Sequence, residues 1–157
     1  MSSLRLDVAN VAHVPLKVAR LQRERGYAVS RVRLPGHQGV DLVSMHLSLD
    51  PEERVRHAAA VMEAHPGDGP LVLAGDLNEG AEGRAWKVIA GRLRAVTGEA
   101  PTFPAGNPRH RFDVIFASPK VSVVPSGAIE LDHADLVAAT DHLPVWVDLD
   151  VSCEALG

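Results

Sequence analysis

The sequence contains almost no cysteine, few aromatic residues and no long apolar run. A single cysteine among 157 residues, Cys153, excludes an intrachain disulfide and a cysteine-rich zinc site. Three Phe, two Trp, one Tyr and a net charge of −4 argue against a protein that binds nucleic acid by base stacking and phosphate neutralisation alone. No apolar segment approaches the roughly 20 residues of a membrane span, and residues 1–10 lack the pattern of a signal peptide. We therefore expect a cytoplasmic protein that makes no membrane contact.

The composition is that of one ordinary globular domain. Hydrophobic residues make up 46% and charged residues 23% of the chain, which suffices for a buried core. We expect a single domain over residues 1–157. Apolar runs bounded by Gly, Pro and polar turn residues predict six strands: Tyr27–Leu34, Val40–Leu47, Leu71–Ala74, Phe112–Ala117, Val121–Val124 and Val145–Leu149.

Two segments carry the pattern of amphipathic helices. Asp50 precedes Pro51 and two Glu residues, which is a typical helix start, and apolar residues recur at helical spacing until His65-Pro66-Gly67. A second helix is predicted from about Glu82 to Val96. Short strands outnumber helices, so the pattern predicts a mixed fold in which helices cover sheet layers.

Polar side chains gather at the ends of the predicted strands. His46 ends one strand, and Asp76 and Asn78 follow another within Gly75-Asp76-Leu77-Asn78. Because Asp76 and Asn78 are two residues apart, both side chains point to the same side of an extended segment. Together they could hold a hard divalent cation or orient a water molecule. The alternatives are a polar turn for this pair and a hydrogen-bonded structural role for His46.

Asp113 stands in a run of strand-forming residues that disfavours a carboxylate. If it is buried it needs a partner, and His142 is the candidate. An Asp–His pair would fix the imidazole tautomer and raise its basicity, as acid–base catalysis requires; the alternative is a purely structural hydrogen bond. Arg111, within a short basic segment, could contact a phosphate or stand in a solvated loop.

Five short motifs occur in a fixed order along the chain: SMHLS, LVLAGDLNE, the Thr102-Phe103 pair, HRFDVIFAS and ATDHLPVWVDL. In this order and at this spacing, they resemble the endonuclease/exonuclease/phosphatase superfamily over residues 26–151. The resemblance implies a deoxyribonuclease I-like α+β fold, which is a layered β-sandwich flanked by helices. It also implies hydrolysis of a phosphate ester, in nucleic acid or in a small molecule, by in-line attack of water.

The resemblance implies roles in binding for the residues that match the family motifs. His46 and Asn78 would contact or orient the phosphate, and Arg111 is a third candidate for phosphate binding. The cofactor would be Mg²⁺ or Mn²⁺, held by Asp76, Asn78 and Asp141.

The resemblance also implies roles in catalysis. Asp76 would activate or align the attacking water. Asp113 would position His142, which would act in acid–base transfer or stabilise the transition state. The general base stays open between Asp76 and the Asp113–His142 dyad.

The motifs cover only the later part of the family's domain. Its first half carries an Asn on a strand and a Glu that is the principal metal ligand, and we expect both to be missing here. Asn10 and Glu24 superficially mimic them, but a gap of 24 − 10 = 14 residues is too short for the intervening helix. We expect a domain incomplete at its N-terminus, whose exposed sheet edge could promote self-association. The alternative function is a catalytically impaired remnant or binding module that keeps the fold without this Glu.

Overall fold

A six-stranded mixed sheet forms the frame of the protein in the computed structural model, which describes residues 7–18, 24–33, 37–125, 127 and 129–150. Its strands are β1 (Asp7–Leu16), β2 (Arg25–Arg33), β3 (Val40–His46), β4 (Leu71–Asp76), β5 (Arg94–Ala95) and β6 (Asp113–Ala117). They lie in the order β1-β2-β3-β4-β6-β5. Among these described strands only β3 and β4 pair in parallel, and α1 (Pro51–Ala64) makes the crossover between them. The hairpin expected between the first two predicted strands is present as β2 and β3.

Two helices cover one face of the sheet. Helix α1 begins where Asp50 caps it, with the Asp50 Oδ1 atom 2.8 Å from the backbone nitrogen of Glu53. Helix α2 spans Arg84–Ala90. Its Trp86 ring meets the Phe116 ring of β6 edge to face, with 5.0 Å between centroids. This helix-covered layer holds the larger of the two cores.

A small second sheet lies on the opposite face. Its strands are β7 (Ser122–Val124) and β8 (Asp148–Asp150), which pair antiparallel. Leu149 of β8 packs against a second apolar cluster that includes Val40, Val72 and Ala117. The layered α+β fold expected from the sequence is therefore confirmed. No helix in the described ranges is long and apolar enough to cross a membrane.

Five elements differ from the sequence-based prediction. Helix α2 ends at Ala90, because the following chain turns at Gly91 and continues into β5, which pairs with β6. The last strand covers 148–150 rather than 145–149, because β7 offers a partner only there. Strand β1 was not predicted, and neither was α3 (His133–Ala139), which buries none of its residues. The predicted strand end at Leu34 lies outside the described residues.

Candidate active site

Three neighbouring strands place three polar side chains in one row. His46 at the end of β3 is paired in register with Asp76 at the end of β4. Asp76 is in turn paired with Asp113 at the start of β6. Side chains of paired residues point to the same face of a sheet. The pairing therefore brings together residues that are far apart in the sequence.

The turn after β4 fixes Asp76 and Asn78. Asp76 Oδ1 accepts a hydrogen bond from the backbone N–H of Asn78 over 2.8 Å, and the Asn78 side chain donates to the Leu47 carbonyl over 2.9 Å. Asn78 has a φ of 52°, which this residue type tolerates better than most. These bonds tie Asn78 to the end of β3 and leave its carboxamide oxygen as an acceptor.

The loop after α3 brings His142 to the same row. His142 Nδ1 lies 2.7 Å from Asp113 Oδ2, and because a carboxylate only accepts, Nδ1 is the donor. His142 Nε2 lies 3.8 Å from Asp76 Oδ2. On another side the Phe103 ring packs against the imidazole, with centroids 4.7 Å apart. The Asp113–His142 hydrogen bond expected from the sequence is thus present.

The pKa values of the two imidazoles beside Asp76 are shifted in opposite directions. Partial burial lowers the pKa of His142, but the hydrogen bond and charge of Asp113, with the charges of Asp76 and Asp141, outweigh it and raise the pKa above 6.5. For His46, the partial burial of its ring prevails over the attraction of Asp76, whose Oδ2 lies 3.3 Å from Nε2, and the pKa falls below 6.5. The positive charge of Arg25 lowers the His46 pKa further.

The site has a donor set suited to a divalent cation. Ligand atoms of Asp76, Asp113 and His142 lie within 4.8 Å of one another. The carboxylate side chains are only 14% and 19% exposed, so their mutual repulsion is poorly screened by water. A cation between them would relieve this repulsion. Two carboxylates with an adjacent amide match the oxygen donors that Mg²⁺ and Mn²⁺ prefer.

Two predicted site residues, Arg111 and Asp141, do not belong to this group of possible metal ligands in the described part of the chain. The Arg111 guanidinium donates to the Thr97 carbonyl over 3.0 Å and lies 4.9 Å from the Trp86 ring centroid. Asp141 is exposed, and its backbone carbonyl accepts from Ala105. Phosphate binding by Arg111 and metal binding by Asp141 and Asn78 stay predictions.

Asn10 and Glu24, which mimic the Asn and Glu of the family's first half, lie far from each other. Asn10 lies in β1, and Glu24 directly precedes Arg25, which pairs with Leu16. Between Asn10 and Leu16 the strand runs for 16 − 10 = 6 residues, about 20 Å at the usual rise. Neither residue belongs to the group of possible metal ligands in the described part of the chain.

The site includes contacts that sequence reasoning missed. In the sequence Thr102 and Phe103 stand out only as a motif, although Phe103 touches His142 and Thr102 bonds to the start of β6. Glu79, which ends the GDLNE motif, is structural: its carboxylate accepts from Arg54 of α1 and from the backbone of Trp86 in α2. The Thr102-Phe103 motif was the signal that could have revealed these contacts, because a hydroxyl side chain at the edge of an apolar core requires a hydrogen-bond partner.

Solved structures resemble this fold at low sequence identity. The human Nocturnin catalytic domain with bound sulfate superposes with a TM-score of 0.76 at 18% identity, covering 94% of this chain and 61% of that one. For the Bacteroides thetaiotaomicron mannosyl-6-phosphatase Bt3783 the TM-score is 0.71 at 19% identity, with 92% and 67% covered. An endonuclease/exonuclease/phosphatase from Beutenbergia cavernae gives 0.75 at 24% identity, with 98% and 47% covered.

These comparisons concern only part of each relative. The chain spans 61%, 67% and 47% of the three solved relatives, and their likeness shows the shared fold. A comparison with curated protein sequences gives no match. The family model for the endonuclease/exonuclease/phosphatase family matches residues 12–142, which include His46, Asp76, Asp113 and His142. The chain therefore belongs to the endonuclease/exonuclease/phosphatase family.

Proposed function

We propose that the protein is a divalent-metal-dependent phosphoesterase that hydrolyses phosphodiesters or phosphomonoesters. One observation carries the proposal: the His142 imidazole lies between two carboxylates, 2.7 Å from Asp113 through Nδ1 and 3.8 Å from Asp76 through Nε2. Such an arrangement presents one ring nitrogen to a reactant while the other is held. Family membership and a solved relative that is a mannosyl-6-phosphatase support a phosphate ester as substrate.

Asp76 is the first candidate to hold Mg²⁺ or Mn²⁺, with the carboxamide oxygen of Asn78 and the carboxylate of Asp141 as further ligands. The proximity of Asp76, Asp113 and His142 supports a cation at this position. When bound, the cation would neutralise charge on the phosphate and on the leaving oxygen.

His142 would act as the acid–base group. With Nδ1–H donated to Asp113, Nε2 carries the lone pair and can accept a proton from the attacking water. The water oxygen forms a bond to phosphorus as the bond to the leaving oxygen breaks, and His142 then carries the proton. Asp76, beside Nε2, would align the water. It is also the alternative base, because its carboxylate could take the same proton.

His46 and Asn78 would bind the phosphate. His46 is the most exposed member of the row, with 56% of its side chain accessible, so its ring can reach a ligand outside the sheet. Asn78 is held by its bond to Leu47 and would fix the phosphate or the water beside Asp76. Arg111 would need to leave Thr97 and Trp86 to contribute, so we place it second to these two residues.

Hydrolysis of bis(p-nitrophenyl) phosphate and p-nitrophenyl phosphate tests the proposal. We expect turnover with Mg²⁺ or Mn²⁺ that disappears in EDTA. His142→Ala should lower kcat by about 10²–10⁴-fold, the usual contribution of acid–base catalysis, and Asp76→Asn should lower it further. The matched control is His133→Ala, because Asp132-His133 repeats the Asp–His dipeptide on the exposed surface of α3. Unchanged turnover in His142→Ala would contradict the role of the dyad.

The second candidate function is a binding module that keeps the fold without turnover. The observation favouring it is that the group of possible metal ligands among the described residues contains two carboxylates, those of Asp76 and Asp113. Isothermal titration calorimetry with Mg²⁺ and Mn²⁺ separates the two candidates. Metal binding that is lost in Asp76→Asn, together with turnover, supports the enzyme. Absence of both supports the module.

A further inference from the structure

Thr102 is a buried polar residue that the proposed reaction does not use. It lies between β5 and β6 and is only 3% exposed. Its backbone N–H donates to the His110 carbonyl over 2.7 Å, and Phe103 and His110 form an isolated β-bridge. Thr102 therefore stands at the base of a closed loop and is held in place by its own backbone.

The Thr102 hydroxyl oxygen contacts the start of β6. It accepts hydrogen bonds from the backbone N–H groups of Phe112 over 3.2 Å and of Asp113 over 3.3 Å. Asp113 is the first residue of this strand and the partner of His142. The hydroxyl therefore holds the backbone of Asp113, whose carboxylate is hydrogen-bonded to the His142 imidazole.

The Thr102 carbonyl contacts the other half of the dyad. It accepts a hydrogen bond from the backbone N–H of Leu143 over 2.7 Å, and Leu143 directly follows His142. Asp113 and His142 are 29 residues apart in the sequence. Thr102 bonds to the backbone of both segments and therefore links them independently of the side-chain bond.

We propose that Thr102 is a positioning residue that sets the Asp113–His142 hydrogen bond by anchoring both backbones. This inference rests on the proposed function, because the dyad is its acid–base group. Without the hydroxyl, two N–H groups at the start of β6 would lose their acceptor, and such groups move to find another. A displacement of about 1 Å at a catalytic group can cost about 100-fold in rate.

The test compares Thr102→Val with a matched hydroxyl on the neighbouring segment. Valine keeps the shape of threonine but accepts no hydrogen bond. Thr97 is the control, because its hydroxyl also accepts a backbone N–H from β6, that of Ile115 over 3.4 Å, and its other described partner is Arg111 and not a residue of the dyad. Thr102→Ser, which restores the acceptor, is the rescue variant. Thr102→Ala, which introduces no bulk in place of the hydroxyl, serves if Thr102→Val does not fold.

The first readout is the ¹⁵N and Nδ1–H signals of His142 by NMR, recorded without metal at one fixed pH. We expect Thr102→Val or Thr102→Ala to shift them toward those of a free imidazole. Thr102→Ser and Thr97→Val should leave them as in the wild type. This readout needs no turnover, so it tests the inference even if the chain hydrolyses nothing. Unchanged His142 signals in a folded Thr102→Val or Thr102→Ala protein would overturn it.

The second readout is the division between kcat and KM in p-nitrophenyl ester hydrolysis. Loss of dyad alignment should lower kcat by about 10–100-fold with KM within about twofold, and Thr102→Ser should recover most of the rate. An equal loss in Thr97→Val would show that any lost hydroxyl near β6 has this effect and would overturn the specific role of Thr102.

Discussion

At the scale of single residues, partners rather than residue type set the chemistry of the two site histidines. His46 and His142 both approach Asp76 Oδ2, at 3.3 Å and 3.8 Å. Only His142 has a second carboxylate on its other ring nitrogen, and only its pKa is raised. In the folded protein His142 is therefore the stronger base, as its proposed role requires.

The raised pKa of His142 predicts how the free energy of unfolding depends on pH. A group that binds its proton more tightly when folded stabilises the protein below its unfolded pKa, near 6.5, and this contribution disappears as pH rises through the higher folded value. His142→Gln should thus cost more stability at pH 5 than at pH 9, and solvent screening keeps the difference below about 1 kcal/mol.

Urea unfolding of metal-free protein at both pH values measures this difference. His133→Gln is the control, because it makes the same substitution at an exposed histidine of α3, and the cost of His142→Gln is compared with it at each pH. A larger cost of His142→Gln at pH 9 would mean that the ion pair with Asp113 does not form.

At the scale of elements, the close pairing of β3 and β4 depends on a residue without a side chain. A Cβ atom added at Gly75 would lie 1.8 Å from the backbone carbonyl oxygen of Met45. A backbone atom cannot move aside without separating the strands that carry His46 and Asp76. Gly75→Ala should therefore destabilise the protein by about 3 kcal/mol, the upper part of the range for overpacking, and should weaken metal binding.

Thermal and urea unfolding of Gly75→Ala test this prediction. The matched control is Gly98→Ala, since a Cβ at Gly98 would meet nothing within 4 Å. We expect Gly98→Ala to stay within about 0.5 kcal/mol of the wild type. Equal stabilities of the two variants would show that the β3–β4 pairing tolerates a side chain at position 75.

The sequence predicted elements well where local pattern and packing agree. Strands β3, β4 and β6 are apolar runs with buried residues, and α1 carries its own cap at Asp50. The prediction failed where local pattern and packing disagree. Helix α3 has no buried residue that could give a periodic pattern. Strand β1 is mostly exposed and is broken by a bulge between Ala9 and Ala12.

The grouping of the four side chains was predictable for the same reason that β3, β4 and β6 were. His46, Asp76 and Asp113 interrupt or end apolar runs, so they stood out in the sequence, and ordered motifs linked them to His142. The role of Thr102 was not predictable, because it depends on where the 102–110 loop closes. Likewise, no local pattern shows that Arg111 stacks on Trp86 of a preceding helix.

At the scale of the whole molecule, the two faces of the large sheet are covered unequally. Helices α1 and α2 bury one face, with Leu73, Ile89 and Phe116 fully enclosed. On the other face the two-stranded sheet leaves an apolar hollow of about 430 Å³, bordered by side chains that include Val11 and Leu42. Exposed apolar surface next to a strand edge that has no partner among the described residues favours association with another chain.

Strand β1 is the edge at which we predict self-association. It spans ten residues, forms one end of the described sheet, and exposes 57% of Val8 and 73% of Val11. The strand contains no Lys or Arg, the charges that usually protect an edge. Sedimentation velocity over a range of concentrations should show the wild type gaining mass as concentration rises. Val11→Lys should reduce this gain at least several-fold, because pairing would bury its charge.

Leu49→Lys is the control for this substitution. Leu49 is also 73% exposed but follows β3 in the loop before α1, away from the edge formed by β1. Its lysine adds the same charge to the surface without entering the proposed contact, so Leu49→Lys should associate like the wild type. If both variants reduce association equally, net charge and not the edge of β1 controls it. A wild type that sediments as a monomer at every concentration would show that the bulged edge protects itself.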